Sequence, residues 1–203
     1  MAYTAFSPKG PRIALAVSED LIHWQRLGLA TFRPYKGIKF DGVDNKDASV
    51  FPVAISDPAG QPAMAILHRP LFPGTLPEET ARHPRSRVVD LHRESIWISY
   101  CPLATKNRGL YHLCHFALHR RLASPVAPWE QERQGTVANV VFPTGIDRRD
   151  DLGTPDRFDV YYGMADDRIG VARLEVPEFL PPGAPADMSQ AKGSHPIDDP
   201  SQT

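Results

Sequence analysis

Along most of this chain, apolar side chains recur either at every second position or in short unbroken runs. These windows are bounded by Gly, Pro, Asp or Asn. The clearest are Ile13–Val17, Ser49–Ile55, Ala63–Leu67, Ser95–Tyr100, Leu110–Leu118, Val137–Phe142, Phe158–Gly163 and Ile169–Leu174, all rich in β-branched and aromatic residues. Each reads as a strand. No window long enough for a stable helix carries a 3.6-residue stripe, and the best helical candidate, Glu78–Arg82, is a single turn fenced by Pro77 and Pro84. Short strands about ten residues apart with turn chemistry between them predict an all-β sandwich, barrel or propeller.

Composition sharpens this. Of 203 residues, 21 are proline, about twice the usual share, which disfavours helices. A 41% hydrophobic content excludes disorder for most of the chain. The segment Pro70–Glu94 reads as a long functional loop with a basic cluster of Arg82, Arg85, Arg87 and Arg93. The stretch 181–203 has five prolines and few large apolar residues and reads as a disordered tail, leaving residues 1–180 as the folded unit. With 23 Lys and Arg against 24 Asp and Glu, the net charge of −1 gives no general attraction for nucleic acid or an anionic membrane. Two cysteines, Cys101 and Cys114, make neither a disulfide scaffold nor a zinc knuckle. No run has the ~18 apolar residues of a membrane span, and no signal peptide is legible at the start. A reduced, cytoplasmic protein is expected.

Four clusters carry candidate chemistry, and each also has a purely structural reading. Asp44-Asn45-Lys46-Asp47 stands at the entrance of a strand, where loop side chains aim at a pocket, or it is a β-turn using Asp and Asn for local bonds. His68-Arg69-Pro70 ends an apolar strand and is either an anion clamp built on the guanidinium fork or a solvated charge. Tyr161-Tyr162-Gly163-Met164-Ala165-Asp166-Asp167 joins two strands, with Gly163 allowing close approach, and a plain hairpin turn explains it equally. His112, His115 and His119 suggest a zinc site, but in a strand His112 and His115 point to opposite faces, which argues against one.

These pieces occur in a recognisable order. Gly10-Pro11-Arg12-Ile13-Ala14-Leu15-Ala16, Ser18-Glu19-Asp20-Leu21 and His23-Trp24 are followed by Asn45-Lys46-Asp47 and Phe51-Pro52, then Leu67-His68-Arg69-Pro70. Next come Ile96-Trp97-Ile98-Ser99, Val140-Val141-Phe142-Pro143 and Tyr161-Tyr162-Gly163-Met164-Ala165-Asp166. The series resembles glycoside hydrolase family 130, the β-mannoside phosphorylases and related mannosidases. The resemblance implies a five-bladed β-propeller with a central pocket for a β-mannoside. It also implies inverting phosphorolysis to mannose 1-phosphate, in which an aspartic acid protonates the glycosidic oxygen and inorganic phosphate attacks the anomeric carbon. Phosphate is the implied co-substrate, and no further cofactor or metal is expected. Carried over by position, Lys46 and Arg69 match phosphate ligands, with His68 beside them. Tyr111 matches a tyrosine near the phosphate. Asp166 borders the sugar and phosphate sites, and Asp47 completes the Asn-Lys-Asp motif.

The chain departs from the family pattern in two places. The family's acid lies in a Glu-Asp-Pro-Arg segment upstream of the strand that here reads Ala2-Tyr3-Thr4-Ala5-Phe6-Ser7, and that segment occurs nowhere in the 203 residues. Only ten residues, Cys101 to Leu110, stand where the family carries a longer stretch with a further phosphate-binding lysine. Lys106 lies there in different surroundings. Blades need roughly 40 to 50 residues each, so three to four are expected and the propeller is incomplete. Its open edges invite self-association as a homo-oligomer. The resulting expectation is a truncated, internally deleted family member with impaired or no catalysis. The alternatives are a non-catalytic mannoside- and phosphate-binding module, a degenerate gene product, or a zinc enzyme using the histidines.

Overall fold

The alternating windows become antiparallel strands. The computed structural model describes residues 1–34, 37–72, 95–103, 110–123, 134–138, 140–153 and 156–176. Among them the elements are thirteen strands and two 3-10 turns. The long basic loop beyond Phe72, the turn Glu78–Arg82, Lys106 and the tail 181–203 lie outside the described residues.

Three antiparallel meanders follow one another in sequence. The first is β1 (Ala2–Ser7), β2 (Gly10–Val17) and β3 (Gln25–Leu29). The second has β5 (Asp44–Val50), β7 (Pro62–Leu71), β8 (Ile96–Pro102) and β10 (Leu118–Ala123) side by side, with β6 (Ile55–Ser56) also pairing β7. The third is β11 (Val141–Arg148), β12 (Arg157–Met164) and β13 (Arg168–Glu175). Two short strands, β4 (Thr31–Phe32) and β9 (His115–Phe116), pair in parallel. The chain is therefore all-β, built of successive meanders as blades would be, and the described strands close no barrel.

The second sheet is covered on both faces, which explains its near-continuous apolar runs. Ala63, Ala65, Leu67, Ile96, Ile98 and Tyr100 turn one way and pack on Val141, Phe158 and Val160 of the third sheet. Ile66, Met64 and Cys101 turn the other way and pack on Ile13, Leu15 and Leu27 of the first. The first strands of the meanders adjoin one another, with β5 touching β1 on one side and β11 on the other. An ion pair locks one of these contacts, since Arg12 Nη1 bonds Asp44 Oδ1 at 2.7 Å. Gly10 leaves room for that carboxylate, because a Cβ there would lie 2.1 Å from Asp44 Oδ1.

Three expectations need correction. Leu110–Leu118 is not one strand but a 3-10 turn, Leu110–Cys114, followed by β9 and the start of β10. Leu113 and Cys114 turn inward while Leu110 and Tyr111 face solvent, a helical spacing hidden in an apolar run. The strand expected from Val137 begins only at Val141, because residues 134–138 pack on the β12–β13 turn, where Val137 N–H donates to Ala165 O at 3.0 Å. Asp44–Asp47 is not an entrance loop but the first part of β5 itself, and Asp44 spends its carboxylate on Arg12 rather than on a local turn.

Candidate functional site

Adjacent residues on a strand point to opposite faces, so Arg69 and His68 on β7 enter different environments. Lys46 of β5 is the direct cross-strand partner of Arg69, which puts two cationic side chains on the face turned toward the third sheet. Directly after Lys46 the β5–β7 ladder slips by one residue. Asp47 occupies the bulge with φ of +56°, a left-handed conformation that Asp tolerates better than most residues. The bulge re-aims the carboxylate at Arg69. Asp47 Oδ2 accepts from Arg69 Nε at 2.7 Å and lies 2.6 Å from Nη2.

The guanidinium is therefore fixed in a nearly buried position, its side chain 8% exposed. Its carbon stands 5.2 Å from the centre of the Phe142 ring, within cation–π range. Phe142 pairs with Gly163 across β11 and β12, and a Cβ at Gly163 would lie 2.2 Å from the ring. The close approach permitted by Gly163 is thus that of an aromatic ring, which carries the arginine from the third sheet. Lys46 is partly buried and makes no ion pair among the described residues.

The opposite face of the second sheet holds a buried polar chain. His68 Nδ1 lies 2.9 Å from Asn45 Oδ1, and His68 Nε2 lies 2.6 Å from Ser99 Oγ. Ser99 Oγ is also 2.8 Å from His119 Nδ1, and His119 Nε2 donates to the Arg33 carbonyl at 3.0 Å. That carbonyl is pinned from its other side, because Arg33 N–H donates to Phe116 O. The Phe32 ring stacks on His68 at 4.8 Å, and Phe40 packs on His119 at 4.5 Å. Burial, followed by the charge of His119, holds His68 well below its ordinary pKa. Burial lowers His119 to about 4, partly offset by its bond to Arg33. Both rings are therefore neutral at pH 7.

The remaining expected residues lie apart. Asp166 sits in the β12–β13 turn, where Ala165 and Asp166 have φ of +49° and +53° and Asp167 N–H donates to Met164 O. This is a type I′ turn, and the Asp166 side chain is exposed. Tyr111 is in the 3-10 turn that packs beside β3, exposed and away from the Arg69–Asp47 pair. Of the histidines, His115 Nδ1 meets Thr31 Oγ1 at 2.6 Å while His119 belongs to the buried chain.

Several side-chain contacts escape sequence reasoning. Ser99 and His119 lie on different strands and become partners only through the β8–β10 register, in which they are paired. Phe142 stands within an apolar run that gives no sign of an arginine above it. Asp159, 2% exposed, is held by Arg149 and by Arg173 Nε at 3.1 Å, and this network ties the outer end of the third sheet.

No family model matches the chain. It is 31% identical to a 1,2-β-oligomannan phosphorylase from Thermoanaerobacter sp. (strain X514), over 88% of the chain. The chain spans 64% of the length of that relative. Among solved structures, a β-1,2-mannobiose phosphorylase from Listeria innocua matches at a TM-score of 0.44 and 18% identity, covering 88% of this chain and 55% of that one. A glycoside hydrolase-like protein from Parabacteroides distasonis matches at a TM-score of 0.38 and 16% identity, covering 85% and 62%.

Proposed function

The chain belongs to glycoside hydrolase family 130, and from that premise we propose that Lys46 and Arg69 form the phosphate side of a phosphorylase-like site for a β-mannoside. The observation that carries this reading is the Lys46–Arg69 cross-strand pair, with Arg69 pre-oriented by Asp47 and Phe142. An arginine held by a carboxylate and an aromatic face is oriented without first losing side-chain freedom, and a lysine without a carboxylate partner among the described residues adds positive charge. Together they suit a dianion better than a neutral sugar.

Phosphorolysis needs few protein groups. Phosphate is itself the nucleophile at the anomeric carbon, so the second carboxylate that ordinary inverting glycosidases use to activate water is not required. The cations lower the repulsion of bringing a dianion to the sugar, and the leaving oxygen needs one proton. Asp166, exposed on the β12–β13 turn, is proposed to border the mannoside. His68 acts from beneath, through Asn45.

The segment Glu-Asp-Pro-Arg, in which the family carries its acid, does not occur among these 203 residues. Binding of both substrates, with turnover reduced by the ~10²–10⁴ that general acid catalysis commonly supplies, is therefore the activity proposed for these residues on their own. The test is calorimetry of the 203-residue protein with inorganic phosphate and β-1,2-mannobiose, with mannose 1-phosphate release measured in parallel. Binding of both ligands, with phosphate binding lost in Arg69→Ala, supports the reading. Failure of both to bind overturns it.

A further inference from the structure

The buried chain on the second face fixes more than its own geometry. Every group in it has a limited donor count, so one end dictates the other. The Arg33 carbonyl only accepts, so His119 Nε2 carries a hydrogen. A neutral imidazole has a single N–H, which leaves His119 Nδ1 as a bare acceptor. Ser99 must therefore donate its one hydroxyl hydrogen to His119, and its oxygen is left to accept. The partner on that side is His68 Nε2, 2.6 Å away, which must then be the N–H of that ring. His68 Nδ1 is consequently bare and needs a donor.

The group that faces His68 Nδ1 is the side-chain amide of Asn45, with Oδ1 at 2.9 Å. Amide oxygen and nitrogen have the same shape and are distinguished by their hydrogen bonds. An oxygen facing a bare ring nitrogen would set two lone pairs against each other in a buried site, at the cost of an unmade bond on each. Turning the amide by half a rotation satisfies the whole chain with neutral groups. The reverse polarity, with Asn45 oxygen accepting from His68 Nδ1, requires one histidine to be a buried cation. Burial among Phe32, Phe40 and Trp97 disfavours that.

We infer that the chain from the Arg33 carbonyl through His119, Ser99 and His68 turns the Asn45 amide so that its NH2 group donates to His68 and its carbonyl oxygen faces outward as an acceptor for a sugar hydroxyl. Asn45 is 4% exposed, and its second amide atom makes no hydrogen bond among the described residues. It is next to Lys46 in β5, with its side chain on the opposite face of the strand, at the end of β5 that carries the cations. A carbonyl oxygen there repels phosphate and accepts from a hydroxyl, so it sorts the two substrates: phosphate to Lys46 and Arg69, sugar to Asn45. This sorting rests on the mannoside reading, whereas the amide orientation does not. His68, Ser99 and His119 are positioning residues in this scheme.

The orientation is tested by recording the imidazole nitrogen signals of the 15N-labelled full chain at neutral pH. Both His68 and His119 are expected as neutral Nε2–H tautomers, with Nδ1 resonating as an unprotonated nitrogen. A His68 Nδ1–H tautomer, or a charged ring at either position, overturns the inference whether or not any sugar binds. The ligand half is tested by titrating wild type and Asn45→Ala with β-1,2-mannobiose and with phosphate. Loss of one hydrogen bond predicts about tenfold weaker mannobiose binding with phosphate binding unchanged. Equal loss of both, or an unchanged mannobiose affinity, overturns the assignment of Asn45 to the sugar. Absence of mannobiose binding in the wild type removes the function reading and, with it, the sorting, while the tautomer result still stands for the orientation.

Discussion

The two faces of β7 sit a peptide bond apart and solve opposite problems. Arg69 faces the third sheet as a permanent cation, nearly buried and held against Asp47 and Phe142. His68 faces the first sheet as a neutral ring, fully buried with both nitrogens bonded. A fold can bury a titratable group cheaply by leaving it neutral, and it can bury a charge by pairing it with a carboxylate and an aromatic face. The site therefore divides into a charged face that meets the anion and a neutral face whose bonds orient the Asn45 amide. Substitutions on the two faces should fail in different ways.

The largest effect is expected on the neutral face. His68→Ala removes a stacked ring and strands Asn45 and Ser99, and should cost about 3 kcal/mol in urea unfolding. Lys46→Ala removes a charge that no described carboxylate pairs with, and should change stability by less than about 0.5 kcal/mol. Similar losses for the two would break the distinction.

Acid should separate the faces next. His119 has a pKa of about 4 in the fold against an ordinary 6.5, so the unfolded chain takes up a proton that the fold excludes. The sign follows: stability is full above about pH 6.5 and falls as pH drops toward 4, by about 3 kcal/mol from this residue. His68 acts in the same direction. Denaturant midpoints between about pH 7 and 4 should show this slope, and His119→Gln should flatten it. An unchanged slope in the variant would place the titration elsewhere.

A smaller and more local effect is expected at Gly163. An alanine there collides with the Phe142 ring, so Gly163→Ala should cost about 1–3 kcal/mol and weaken phosphate binding by unseating the ring beneath Arg69. Stability lost with phosphate affinity intact would show that Phe142 does not orient the guanidinium.

Much of the fold is legible in the sequence because the second sheet is buried on both faces. Its strands β7 and β8 read as apolar runs, and the turns around them carry Gly, Pro and Asp. β3 is not legible, since Leu27 alone of its five residues is buried and the others face solvent. Leu110–Leu118 misleads because three- and four-residue apolar spacing overlaps with a run that also suits a strand. The cations of the site, Lys46 and Arg69, are legible as residue types in motifs. Their separation from His68 follows from strand alternation, once β7 is known to run on through Leu71. The contacts of Phe142, Ser99 and His119 become visible only through register, which local pattern does not specify.

The most direct measurement is phosphate binding by Lys46→Ala, a variant expected to fold intact. Calorimetry should show phosphate affinity reduced about tenfold or more while the unfolding midpoint stays at the wild-type value. Phosphate affinity equal to wild type in that variant would contradict the assignment of the charged face of β5 and β7 as the phosphate site.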